Sequence, residues 1–228
     1  MNSPNRTRQN PDWVDICGLM LLRHLDPLNS VEALVIAYRI TDRPNDLWTE
    51  RFNAFKSGDP RAIQGACRVL SQALKNIRFI VGPVILTAAI PSKFRVLPVA
   101  SPIYLLGSFI AKALGWTWRP EILRKRPHRQ LHLMYNSARR DAEVEGVYRC
   151  TVRGLEGTVL VLDDFITRGS TIREIARAIR QGNPAVNVVG LALGKTERVA
   201  HWEAGGINNG HVPEELAQVW DSNDLELV

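Results

Sequence analysis

Cysteine is scarce in this chain. Only Cys17, Cys67 and Cys150 occur among 228 residues, far apart and with no Cys-x-x-Cys pair. An odd number of widely spaced thiols argues against both a disulfide framework and a zinc ribbon, and predicts buried, reduced side chains. Long apolar runs are missing too: no stretch approaches the roughly 18 consecutive apolar residues of a bilayer-spanning helix. The segment Met1 to Pro11 is polar, carries Arg6 and Arg8 and has no apolar core. A secretory signal is therefore not expected there, and the reading is a cytoplasmic protein with no membrane partner. Repeats and low-complexity tracts are absent.

What is present fits a folded domain. A hydrophobic content of 45% and a charged content of 23% are ordinary for a soluble globular chain. The net charge of +6 is unevenly placed. Between Arg119 and Arg140, seven cations stand against the single acid Glu121. Charge runs are usually solvated loops. Two functional readings compete with that one: cations closing over a bound pyrophosphate, or a footprint for single-stranded nucleic acid.

The most informative stretch is Val159-Leu160-Val161-Leu162-Asp163-Asp164-Phe165-Ile166-Thr167-Arg168-Gly169-Ser170-Thr171. Its apolar start reads as a buried, parallel strand. From Ile172 the period changes, since Ile172, Ile175, Ala176 and Ile179 recur at helical spacing, and Gly182 is placed to end that helix. A strand thus feeds a tight loop into a helix N-terminus, where backbone N-H groups and the positive dipole end favour a phosphate. Gly169 permits close approach, and the hydroxyls of Thr167, Ser170 and Thr171 can bond phosphate oxygens. Asp163 and Asp164 emerge at the strand's carboxyl end, where open α/β sheets bind ligands, and two carboxylates suit ribose hydroxyls. The competing structural reading is an ordinary turn in which Thr171 and Glu174 form a capping box.

Other elements follow from punctuation and period. Asp12 to Leu25 reads as a first helix, Asp59-Pro60 opens a second, and Ser101-Pro102 opens a third that runs to Gly115. Val31 to Ile40 is an apolar run that fits strand or helix equally. Strands are expected at Ile77 to Leu86, Val147 to Val152 and Val186 to Leu193, and a loop at Thr87 to Val99. This order predicts a mainly helical segment over residues 1–58 and an α/β domain over 59–228.

The thirteen-residue stretch resembles the binding motif for phosphoribosyl pyrophosphate in type I phosphoribosyltransferases, an apolar strand, two acids, two apolar residues and a Thr-x-Gly-x-Thr loop or close variant. Arg168-Gly169 is similar to the loop of glutamine amidophosphoribosyltransferases. A narrower resemblance spans about Phe55 to Arg198. Arg124-Lys125-Arg126, Gln130 and Arg140 ahead of Val144-Glu145-Gly146-Val147-Tyr148 look like the corresponding segment of ComF-type phosphoribosyltransferase-like proteins.

The resemblance implies an α/β fold of the type I phosphoribosyltransferase class, with a mainly parallel sheet flanked by helices. It implies an enzyme that transfers phosphoribosyl from phosphoribosyl pyrophosphate to a base or amine, with Mg2+ as cofactor. Asp163 and Asp164 become the sugar and metal candidates, the metal reaching them through water or substrate. Thr167, Arg168, Gly169, Ser170 and Thr171 become the loop for the 5-phosphate. Lys93 and Arg95, joined by Arg124, Lys125, Arg126 and Arg129, become the candidates for the pyrophosphate leaving group. Thr167 stands where purine transferases commonly carry an Asp, which turns the expected acceptor from a 6-oxopurine towards a pyrimidine, an amine or an unusual base. The alternative is a non-catalytic binding module, an accessory in DNA uptake or processing. A homodimer is compatible with either.

Several isolated signals carry less. Lys195 after the last strand is placed to hydrogen-bond an acceptor, and Gly194-Lys195-Thr196 mimics the end of a P-loop whose first glycine is displaced to Gly190. His128 and His132 have helical metal-ligand spacing but no carboxylate nearby, and read as exposed loop residues. Trp116, Trp118, Trp202 and Trp220 are candidates for stacking on a base, with core packing as the default.

Overall fold

Five parallel strands fix the position of the motif. The computed structural model describes residues 13–26, 31–43, 45–77, 82–126, 143–198 and 213–222. Its main sheet has seven strands: β1 (Trp13–Ile16), β2 (Leu19–Asp26), β3 (Val31–Ile40), β4 (Val84–Ala88), β5 (Thr117–Trp118), β8 (Thr158–Ile166) and β9 (Asn187–Glu197). They lie in the order β1-β2-β3-β9-β8-β4-β5. Pairing is parallel from β3 through β5 and antiparallel among β1, β2 and β3. Two short strands, β6 (Leu123–Lys125) and β7 (Tyr148–Cys150), form a separate antiparallel pair. The helices are α1 (Leu47–Ser57), α2 (Pro60–Lys75), α3 (Pro102–Leu114), α4 (Ser170–Arg180) and α5 (Glu214–Asp221). The expected α/β class with a mainly parallel sheet flanked by helices is what the chain adopts. Among the described residues no helix is long and apolar enough to cross a membrane.

Helix starts follow their caps. Asp59 accepts from the Ala62 N-H at 2.8 Å ahead of Pro60, and Ser101 accepts from the Tyr104 N-H at 3.3 Å ahead of Pro102. Both helices begin where the sequence places them. The helix expected over Asp12 to Leu25 is a β-hairpin instead. Ile16 pairs with Leu19 across a two-residue turn, Cys17-Gly18, in which φ is +55° and +82°. Positive φ at both central residues is the geometry that matches the twist of hairpin strands, and the dense apolar run of β2 does not distinguish strand from helix by period alone. The ambiguous segment Val31 to Ile40 is β3, buried on both faces between β2 and β9. The segment before residue 59 is therefore not mainly helical. It adds three strands to the same sheet, so the sheet runs across the expected boundary at residue 58.

Core packing explains several other residues. Leu34, Ile36, Leu86 and Val159 to Leu162 are fully buried in the sheet, and Ile172, Ile175 and Ile179 of α4 close over it. Trp48, Phe52 and Trp220 form an aromatic cluster with centroids 5.4 to 6.0 Å apart. Trp118 packs against Gly107 of α3, where a Cβ would lie 2.3 Å from its ring, and Trp116 also packs on the core. Trp116, Trp118 and Trp220, the candidates for stacking on a base, pack on the core, while Trp202 lies outside the described residues. Gly182 is not left-handed: α4 passes into Gln181 with helical φ and ψ, and Asn183 stops the chain by bonding the Ile179 carbonyl at 3.0 Å.

Candidate functional site

The topology marks one edge of the sheet. From β4 the chain passes through α3 to β5, and from β8 through α4 to β9, so the two connections depart in opposite directions along the sheet. Right-handed crossovers, the rule for such units, put the two helices on opposite faces and open a crevice beyond the carboxyl ends of β4 and β8. Pairing between these strands ends at Ala88 and Leu162. On its other side β8 continues to pair with β9 through Ile166. Asp163 and Asp164 thus lie within the last four residues of β8, on the stretch that β4 has left uncovered. They do not stand beyond the strand as the apolar run alone suggests.

The geometry of the loop ahead of α4 follows directly. Gly169 is the N-cap of α4 with φ +77° and ψ 7°, and no side chain caps the helix. The capping box expected of Thr171 and Glu174 does not form. Glu174 instead turns inward, where it is 6% exposed and accepts from the Tyr148 N-H at 3.1 Å. Ser170 Oγ is contacted by Arg173, which also donates to the Leu25 carbonyl at 3.1 Å. Lys195 is buried, and its Nζ donates to the Thr167 carbonyl at 2.9 Å and lies 3.4 Å from Glu197. It braces the loop from β9. Gly194-Lys195-Thr196 is strand, not P-loop. Thr167 is exposed and Arg168 half-buried.

Among the described residues three cations act on the acid pair, Lys125 on Asp163 and both Lys56 and Arg39 on Asp164. Asp164 lies 3.2 Å from Lys56 of α1, which is more than half exposed. Asp163 is held well above the ordinary carboxylate range, first by burial and then by the charge of Asp164, against the opposing pull of the Asp164 N-H and of Lys125. Lys125 itself is pulled down to about 8, because burial disfavours its charge more than Asp163 restores it.

The expected cationic patch is sorted by strand alternation. On β6, Leu123 and Lys125 point inward and Arg124 outward. Lys125, 6% exposed, donates to the Ile90 carbonyl and lies 5.2 Å from the centroid of the Tyr148 ring. Arg124 reaches the Glu121 and Leu123 carbonyls at 3.3 Å, and Arg126 is exposed. Lys93 and Arg95 are exposed on the loop after β4, and the Arg95 carbonyl accepts from the Lys125 N-H at 3.0 Å. That hydrogen bond ties the loop to β6. Arg129, His128 and His132 lie outside the described residues.

Lys56, Tyr148 and Glu174 belong to this neighbourhood, although the sequence offered none of them as a site residue. In sequence Tyr148 closes the string from Val144 that resembles ComF-type proteins, and Glu174 stood only as a capping-box partner of Thr171. Among the described residues no group of three or more His, Cys, Asp or Glu could hold a metal. The adjacent carboxylates of Asp163 and Asp164 nevertheless fit Mg2+, which takes hard oxygen ligands and is commonly held by one or two carboxylates together with substrate phosphates. A cleft of about 570 Å3 opens elsewhere, between α1, α2 and α5. Of its cations, Arg51 pairs with Asp221 and Arg68 bonds the Val219 and Trp220 carbonyls.

The lowered value at Lys125 has a measurable consequence. Between about 8 and its ordinary 10.5, the unfolded chain holds a proton here that the folded chain has released. The contribution of Lys125 to stability therefore rises with pH through that window, by an amount on the order of 3 kcal/mol, while Cys67 and Tyr38, both pushed up to about 12 by burial, contribute in the opposite sense. Lys125→Met should flatten this rise. Denaturant midpoints at pH 7.5 and 10 check it, and an equal rise in the variant would reject the buried placement.

No protein-family model matches the chain, and no curated protein matches it. Solved structures similar to it include adenine phosphoribosyltransferase from Leishmania tarentolae, 17% identical over 68% of this chain and 69% of that one, with a TM-score of 0.38. A hypoxanthine phosphoribosyltransferase from Staphylococcus aureus is 13% identical over 60% and 73%, with a TM-score of 0.38. Glutamine phosphoribosylpyrophosphate amidotransferase from B. subtilis is 18% identical over 90% of this chain and 44% of that one, at 0.37. At identities below 20% and TM-scores below 0.4, none of these assigns a family or an activity.

Proposed function

We propose that this protein is a magnesium-dependent phosphoribosyltransferase of the type I class, ComF-like in its motif segment, acting in the cytoplasm on phosphoribosyl pyrophosphate and a base or amine acceptor. One observation carries the reading. The acid pair and the glycine-containing helix N-terminus meet at the point where β4 and β8 diverge, which is where a doubly connected parallel sheet binds its ligand.

Each part then has a chemical task. The loop Thr167 to Thr171 receives the 5-phosphate at the N-terminus of α4. Asp163 and Asp164 accept hydrogen bonds from the ribose hydroxyls and stabilise the positive charge that develops at C1. In the reaction the bond from C1 to the pyrophosphate oxygen breaks, a bond from C1 to the acceptor nitrogen forms, and the acceptor loses a proton. Lys93, Arg95, Arg124 and Arg126 attract the departing anion, and Arg129 extends that group in sequence. Lys125 stands behind them, holding Ile90. Magnesium, when held by Asp163 and Asp164 through water or substrate, supplies further neutralisation of the pyrophosphate.

The test is calorimetric binding and turnover with a panel of free bases and amines. Replacing Lys93, Arg95, Arg124 and Arg126 by Ala should weaken phosphoribosyl pyrophosphate about 100-fold or more and ribose 5-phosphate little, because only the former carries the leaving group. Single-stranded DNA is measured in parallel. A loss of DNA affinity with a salt slope shallower by about 0.7 per phosphate contact, the sugar phosphates being unaffected, would replace the enzyme by the accessory binding module.

A further inference from the structure

Tyr148 is the least expected residue near the site. It is 2% exposed on the short strand β7, yet its hydroxyl makes two hydrogen bonds to one residue of the loop after β4. The Ile90 N-H donates to it at 2.9 Å, and it donates to the Ile90 carbonyl at 3.0 Å. The phenol is held far above its ordinary range, first by burial and then by the charges of Asp163 and Glu174, against the bond to Ile90. It stays a donor throughout the accessible pH range.

The backbone of Tyr148 is gripped from the other direction. Glu174 of α4 accepts from its N-H at 3.1 Å, and Arg177 donates to its carbonyl at 3.3 Å. Arg177 in turn holds the Glu174 carboxylate through two bonds, of 2.6 and 2.8 Å. The helix doing this begins at the phosphate loop. A continuous set of hydrogen bonds therefore runs from α4 through Tyr148 to Ile90, the residue three positions before Lys93.

On the reading of the two loops given above, we infer that Tyr148 is a positioning residue, whose hydroxyl, held in register by Glu174, sets the Lys93 and Arg95 loop at a fixed distance from the phosphate loop. A sugar phosphate with one phosphate needs only the loop at α4. A substrate with phosphate at both ends of the sugar must match the distance between the two loops, so the tether selects for pyrophosphate at C1. The orienting cost that a wandering loop would add to binding is met in advance by the fold.

The experiment uses Tyr148→Phe, which keeps the ring and removes only the hydroxyl. It should weaken phosphoribosyl pyrophosphate about tenfold, the scale of one or two hydrogen bonds, and leave ribose 5-phosphate within about twofold. Amide exchange supplies a readout without ligand. Protection at Ile90 should fall about tenfold in Tyr148→Phe and also fall in Glu174→Ala. The Ala89 N-H, bonded to the Leu162 carbonyl at 2.7 Å, should be unchanged. Equal weakening of the two sugar phosphates would overturn the inference, as would unaltered exchange at Ile90. If the parent protein binds neither sugar phosphate, the functional reading fails, and exchange at Ile90 still decides whether the tether exists.

Discussion

Replacing Asp163 and Asp164 together by Asn is expected to weaken phosphoribosyl pyrophosphate in the presence of magnesium by about 100-fold or more, the scale of losing two charge-assisted hydrogen bonds. The fold should survive. Asp163 is buried enough that its charge is disfavoured, and Asp164 adds repulsion, so a neutral amide relieves both. Lys56 loses its partner, but it is largely solvated and that pair contributes little. The sign of the pH effect follows from the raised value at Asp163. The folded chain holds a proton that the unfolded chain releases above its ordinary 3.8, so the parent loses stability as pH rises from there through the folded value. The double variant should lack that decline. Calorimetric titration and thermal unfolding from pH 4 to 7 check both halves. Undiminished affinity would remove the acids from the site.

Gly169→Val is expected to have the second largest effect, for two independent reasons. The backbone there has φ +77°, and a Cβ would lie 3.2 Å from Leu25 Cβ and 3.3 Å from its Cδ1. A β-branched residue in the left-handed region costs about 1 to 3 kcal/mol, and relief by moving the loop displaces the N-terminus of α4. A shift of about an ångström at such a site lowers turnover by about 100-fold. Ribose 5-phosphate should weaken with it, and Gly169→Ala should fall between parent and Val. A Val variant that binds ribose 5-phosphate as the parent does would show that phosphate binds elsewhere.

Much of the site was legible because its pieces are contiguous. The strand, acid pair, loop and helix of residues 159–179 occupy neighbouring positions, a short apolar run closed by two acids and a loop that passes into helical spacing, and no distant partner is needed to recognise them. Helix starts at Asp59-Pro60 and Ser101-Pro102 were legible for the same reason, since a cap is a local hydrogen bond. The hairpin at residues 13–26 was not. Its strand character comes from pairing with β3 and from the two positive φ values at Cys17-Gly18, and an apolar run gives no period by which to tell strand from helix.

By itself, then, the sequence determined the local chemistry: where a hydroxyl-rich loop with a glycine runs into a helix start, where two carboxylates stand together, and that cations are concentrated between Arg119 and Arg140. Tertiary structure decided how those groups are used. Alternation on β6 sends Arg124 outward and buries Lys125 against Ile90. Divergence of β4 from β8 beyond Leu162 uncovers the acid pair. Tyr148, Glu174 and Lys195 become braces only because β7, α4 and β9 come together around the two loops. Burial and hydrogen-bond partnership depend on residues far away in the chain, and neither can be read from the neighbours of a residue in sequence.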